Sequence, residues 1–310
     1  MFKKQQLLLT GLFMLILIIA FSCKSKYEKL RASNDNTKKF QEGKRLYEKK
    51  QYTKALGLFE PLLTRYRQQE NAEDLFYLNA MATYKLKDYT AASFHFKEYA
   101  KDFPSSPHAE ECRFLSAYCL YLEAPTFSLD QENTVRSVEA LQLYINLYPK
   151  GEHVAEAGKL IDELHGRLEE KSFANAKLYY VTGNFQAAVI SFGNTLRDYP
   201  DTKYAEEIDF LSTKSQYEYA RASRETRQEE RFGQAITMAD EFTEKYASSK
   251  YLADISGLKK DSQNGINNVR RVIAAAENDV KLARKLARKD SVIQQQTPSV
   301  KMDIHQKIPN

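Results

Sequence analysis

An all-α fold of repeated helix hairpins is what this sequence predicts, and three observations lead there. Helix breakers are scarce: 310 residues hold 11 Gly and 8 Pro, while Ala, Leu, Glu and Lys abound, a composition that favours helix. One pattern of aromatic and small residues recurs along the chain. A second pattern, an aromatic residue followed by Pro or Ala and a polar turn, recurs between the copies of the first.

The first pattern emerges when Phe40, Gly43, Tyr47, Tyr52, Ala55 and Phe59 are aligned with Tyr77, Ala80, Tyr84, Tyr89, Ala92 and Phe96. Every position matches in type and spacing. A third copy runs Phe173, Ala176, Tyr180, Phe185, Ala188 and Phe192. Each copy reads as a helix, a polar turn such as Lys87-Asp88 or Gly183-Asn184, and a second helix. The small residues let paired helices approach, and the aromatics fill the space between them. The second pattern closes the copies: Phe103-Pro104-Ser105-Ser106, Tyr148-Pro149-Lys150-Gly151, Tyr199-Pro200-Asp201-Thr202 and Tyr246-Ala247-Ser248-Ser249. Pro ends one helix, and Ser, Asp or Thr caps the next. Repetition of this kind predicts a tetratricopeptide-like helical solenoid of about five helix-turn-helix units with a C-terminal capping helix. Its spacing, about 37 to 51 residues, exceeds the ideal period of about 34.

Taken in order, residues 1–22 read as an export signal. Lys3 and Lys4 are charged, 7–20 is an apolar stretch too short to span a bilayer comfortably, and small residues lead to Cys23. This segment resembles a bacterial lipobox, which implies cleavage before Cys23 and lipidation of its thiol. A plain signal peptide or an uncleaved anchor is the alternative. By resemblance to the enteric sorting rule, Lys24 argues against retention in the inner membrane. Residues 23–38 form the lipidated Cys and a polar linker. The repeats fill 39–249, at about 36–69, 70–106, 107–151, 152–202 and 203–249. The middle unit carries an insertion, 123–131, with Asp130 as the candidate N-cap of the helix after it. A helical cap spans 250–289 and would cover the last apolar face. No periodicity survives in 290–310, which reads as a flexible tail.

Charge and chemistry exclude several classes. Lys and Arg number 46 against 41 Asp and Glu, interspersed rather than gathered on one face, so a nucleic-acid binder is not described. The five histidines, His95, His108, His153, His165 and His305, are scattered. None sits in a zinc spacing, and no nucleophile elbow or phosphate-cradling loop is present, so neither enzyme, metal site nor cofactor is expected. His108 and His153 stand in the unit closures where Tyr204 and Tyr251 stand in others, which points to packing. Cys112 and Cys119 lie seven residues apart in a helical stretch, roughly 10 Å between Cα atoms, so two buried thiols are expected rather than a disulfide.

A binding groove is the functional expectation. With tetratricopeptide geometry the first helices line the concave side, presenting Phe40, Lys44 and Tyr47, then Tyr77, Met81 and Tyr84, then Phe114, Tyr118 and Tyr121. Tyrosine suits an extended peptide, offering a large ring at low entropy cost and a hydroxyl for backbone groups. The alternative for each ring is filling between helices. The basic run 281–289 could touch acidic lipid headgroups, or be the solvated face of the cap helix.

The lipobox, the five units, the aromatic closures and the loop carrying Asp130-Gln131 together resemble the BamD family, lipoprotein subunits of the outer-membrane β-barrel assembly machinery. The resemblance covers roughly 23–268; the basic extension and the Gln-rich tail depart from it. It implies an outer-membrane lipoprotein scaffold, anchored on the periplasmic face, acting by binding. Its C-terminal repeats would hold the periplasmic domains of the barrel-forming subunit. Its N-terminal repeats would receive the aromatic-ended strand of unfolded outer-membrane proteins. The alternative function is a tetratricopeptide scaffold for cell division or peptidoglycan coordination, with a membrane-anchored hydrolase a distant third.

Overall fold

The computed structural model describes residues 25–66 and 72–296. The export signal, Cys23 and residues 297–310 lie outside the described residues. Twelve helices and no strand occur among those described. Five pairs follow one another as hairpins: α2 (Asn36–Glu48) with α3 (Tyr52–Tyr66), α4 (Ala72–Lys85) with α5 (Tyr89–Asp102), α6 (Ala109–Glu123) with α7 (Glu132–Leu147), α8 (Val154–Val181) with α9 (Phe185–Asp198), and α10 (Ala205–Arg221) with α11 (Glu225–Lys245). A short α1 (Lys26–Ala32) precedes them and a long α12 (Leu252–Gln296) follows. The chain divides into two compact blocks, one ending at Leu168 and the other beginning at Glu169, a division that falls within α8.

The hairpins form for local reasons. Asp35 caps α2 by accepting from the Lys38 N–H at 2.9 Å, and Asp88 caps α5 through the Ala91 N–H at 3.1 Å. Between paired helices the chain turns through a left-handed residue at one repeated position: Lys50 (φ 58°), Lys87 (φ 64°) and Gly183 (φ 78°). Where the helices cross, side chains must be small. Ala55, Ala80, Ala92, Ala176 and Ala188 are all fully buried. At Gly43 a Cβ would lie 2.4 Å from the Phe59 ring, so only glycine admits that ring.

In the first block, cores gather around Phe59 and Leu75, around Phe96 and Tyr99, and around Phe114 and Tyr144. Cys112 and Cys119 are free and fully buried within the second of these. Burial pushes the Cys119 thiol up to about 12, so it packs as a small apolar group. In the second block one core joins Phe173, Phe192, Phe210 and Phe242, and a smaller one joins Phe232 to Ile266.

Three expectations change. The linker contains α1, whose Tyr27 and Leu30 pack on the first hairpin while Tyr27 Oη donates to the Lys54 carbonyl at 3.0 Å; two apolar side chains one turn apart suffice to dock a polar segment. Asp130 does not stand at the cap position of α7. Gln131 stands there, and Asp130 accepts from the Glu132 N–H at 2.9 Å while Gln131 Nε2 donates to the Thr126 and Leu129 carbonyls, closing the inserted loop. Finally, α12 continues to Gln296 rather than ending near Lys289, since nothing between them breaks a helix.

Candidate functional site

The five first helices share one aromatic register. Phe40, Tyr77, Phe114, Phe173 and Phe210 occupy equivalent positions, and seven residues on stand Tyr47, Tyr84, Tyr121, Tyr180 and Tyr217. Between each pair lies a small or compact residue: Gly43, Ala80, Ala117, Ala176 or Thr213. Alignment by sequence finds three of these copies. The other two, on α6 and α10, are followed by second helices of different pattern, and only the aromatic pair itself signals them.

Each closure contributes a ring that stacks on the earlier aromatic of this register. His108 lies on Tyr77 at 4.2 Å, His153 on Phe114 at 4.1 Å, Tyr204 on Phe173 at 4.5 Å and Tyr251 on Phe210 at 4.1 Å between centroids, all within 19° of parallel. The two histidines therefore act as flat packing rings. Behind the first three stacks a carboxylate braces the closure. Glu73 accepts from Ser106 at 2.5 Å, Glu110 from Tyr144 at 3.0 Å, and Glu169 from Thr202 at 2.5 Å. In the second closure Gly151 replaces the hydroxyl residue because Tyr144 Oη already fills its place, accepting from the His153 N–H at 3.1 Å; a Cβ there would meet Glu110 at 2.3 Å.

This arrangement sorts the expected groove residues. Phe40 and Phe114 are only 3% exposed and belong to the core, a correction to their reading as groove lining: Phe59 packs against the one, Tyr144 and His153 against the other. Tyr47, Tyr77, Tyr84, Tyr118 and Tyr121 are half-buried, each with part of its surface open. Tyr77 donates to Glu111 Oε2 at 3.2 Å; burial and then that carboxylate hold its phenol well above the ordinary range. Burial likewise raises Tyr47, aided by Tyr52 and Glu111, and raises Tyr84, aided by Tyr118. Tyr118 stacks against both Phe114 and Tyr121. Tyr121 donates to Glu163 at 2.8 Å, with Arg167 5.3 Å from its ring and bonded to the same carboxylate, and that guanidinium depresses the Glu163 pKa. Among the described residues no hydrogen bond engages the hydroxyls of Tyr47, Tyr84 or Tyr118, so three phenols remain able to bond an incoming backbone.

In the second block cations lie over the rings of the register. Lys214 lies 5.8 Å from the Tyr180 ring and 5.9 Å from Phe210, Lys177 5.3 Å from Phe173, and Arg221 5.7 Å from Tyr217. Cations also reach register rings of the first block, Lys85 lying 5.6 Å from Tyr84 and Arg167 5.3 Å from Tyr121. Among the described residues no three His, Cys, Asp or Glu side chains gather as metal ligands.

A run of aromatic-registered helix hairpins of this length defines a tetratricopeptide-like repeat protein. The chain belongs to the YfiO family, described as an outer membrane lipoprotein, whose profile matches residues 32–212. It is similar to the outer membrane protein assembly factor BamD of Caulobacter vibrioides, with 26% identity over 108 residues, 35% of each chain. It is also similar to the putative outer membrane protein assembly factor BamD of Aquifex aeolicus, with 26% identity over 211 residues, 67% of this chain and 68% of the relative. A solved TPR repeats protein of Bacteroides fragilis is 13% identical, covering 77% of this chain and 100% of its own, at a TM-score of 0.33. Family membership associates the chain with the outer membrane.

Proposed function

We propose that this chain is a lipid-anchored scaffold in the assembly of outer-membrane proteins, working on the periplasmic face and by binding rather than by chemistry. The observation that carries the reading is the match across most of the repeats to a relative named as an assembly factor. Cys23 is the acylation site in this reading, and acyl chains hold a water-facing repeat domain at the bilayer because each buried methylene contributes about 0.8 kcal/mol. The first block receives an extended, aromatic-terminated peptide on Tyr47, Tyr84 and Tyr118. Their open hydroxyls and half-open rings support this role; Phe40 and Phe114 serve beneath them. The second block holds the periplasmic domains of a barrel-forming subunit.

Co-purification in mild detergent tests the scaffold. Recovery of a large outer-membrane barrel protein with periplasmic repeats is expected, whereas peptidoglycan synthases in its place would overturn the reading. For the peptide surface, changing Tyr47 and Tyr84 together to Ala is expected to weaken peptide cross-linking about tenfold or more while capture of the barrel partner survives. Unchanged cross-linking would return both rings to a packing role. Intact mass of the natural protein without lipid on Cys23 would refute the anchor.

A further inference from the structure

The distal half of α12 leaves the core while remaining amphipathic. Ile255, Ile266 and Val269 are 1%, 8% and 3% exposed, Ile266 packs with Phe232, and Arg270 Nη2 reaches Glu229 at 2.7 Å. From Arg271 to Arg288 every residue is exposed except the half-buried Ile273. A helix with no core to join has no packing reason for apolar residues, yet Val272, Val280, Leu282 and Leu286 are each more than half exposed. At 3.6 residues per turn Val272, Ala276, Val280, Ala283 and Ala287 fall on one face, with Leu282 and Leu286 widening it. Val272, Ile273, Ala276 and Val280 form with Thr226 and Lys281 an open trough of about 510 Å³. Lys281, Arg284 and Lys285 occupy the rest of the circumference, Lys281 and Arg284 close enough to the apolar face to border the trough. Asp279 is the single acid on the apolar face, and Glu277 the single acid among the cations.

We propose that residues 272–288 form a second membrane contact, lying along an anionic phospholipid surface with the apolar face at the acyl boundary and Lys281, Arg284 and Lys285 reaching lipid phosphates. Charge decides the occupant. Against a second copy of this helix the three cations would find no acidic row to meet, and the apolar arc is wider than the two-residue seam that pairs helices. Against anionic lipid, each cation gains a phosphate and the long Lys and Arg stems lie along the interface. No described helix is long and apolar enough to cross a membrane, so the contact runs along the surface.

The test uses the full chain extracted from membranes and reconstituted in phosphatidylcholine vesicles with or without phosphatidylglycerol. Lipid on Cys23 or an uncleaved apolar leader would equally keep the chain on the vesicle, so a probe on α12 reports α12 alone. An environment-sensitive dye is attached through Val280→Cys, Cys112 and Cys119 being buried, and the chain without that substitution is labelled in parallel so that any dye on an unlipidated Cys23 is subtracted. A blue shift and loss of access to an aqueous quencher are expected on the anionic vesicles, at about tenfold less phosphatidylglycerol than the Lys281→Glu/Arg284→Glu/Lys285→Glu variant needs. Asp279→Asn is expected to strengthen the response. Unchanged melting of the repeats in each variant excludes unfolding. A dye that stays wet on both vesicles, a shift indifferent to the charge reversals, or a shift that appears without vesicles as protein concentration rises, the mark of a second copy, would each overturn the proposal.

Discussion

Lys87 reads in sequence as an ordinary surface lysine, but its φ of 64° places it in the left-handed region, where a Cβ crowds the following carbonyl. Lys50 shares that conformation at φ 58°, and at the equivalent place in the fourth hairpin the chain carries Gly183. Lys87→Gly is therefore expected to stabilise the protein by about 0.5–1 kcal/mol and Lys87→Val to destabilise it, both measurable as shifts of a urea midpoint. Tyr144 gives the pH dependence. Burial first, and then Glu110, push its phenol up to about 12, against the partial relief of the His153 N–H. Its folded pKa lies above the unfolded value of about 10, so its contribution is complete below pH 10 and is lost as pH rises towards 12. Tyr77 and Tyr99 are raised for the same first reason and act in the same direction. Stability is expected to fall through that window. Tyr144→Phe should flatten part of the fall while lowering stability at neutral pH by about 1–2 kcal/mol, because Glu110 and the His153 N–H lose their partner.

At the scale of elements, the close crossing of paired helices is the requirement that the repeat pattern encodes. Ala92 is fully buried where α5 meets its neighbours, so Ala92→Arg is expected to cost several kcal/mol and to lower the melting temperature sharply. Gly151→Ala is expected to be costly for a different reason, since its methyl would displace the Tyr144–Glu110 bond that braces the second closure. Both are checked by thermal unfolding beside a silent control such as Lys85→Gln on the exposed face of α4. The hairpins were legible in the sequence because small and aromatic residues repeat at helical spacing. The closures were legible as boundaries but not as devices. Their Ser106 and Thr202 hydroxyls accept from the N–H two residues on and donate to Glu73 and Glu169, carboxylates from the first helix of the same hairpin that no local pattern announces.

Across the whole molecule, local stability is expected to follow burial. Amides of α12 between Ile255 and Val269 lie against a core, and those of residues 271–288 do not. Hydrogen exchange without lipid should therefore protect the first stretch and leave the second orders of magnitude faster, since a helix segment without tertiary packing is marginal in water. Equal protection of both would mean that something covers the distal half. The sequence by itself determined the helical class, the hairpins, the register Tyr47, Tyr84, Tyr180 and the small residues at the crossings, because each of these depends on spacing within one turn or one hairpin. Only the tertiary structure decided which aromatics are core and which are half-open. Phe114 and Tyr118 sit on one helix with similar signals, and it is His153, arriving from the next closure, that covers the first and leaves the second half-open. Burial is set by partners distant in the chain, and periodicity cannot carry that information.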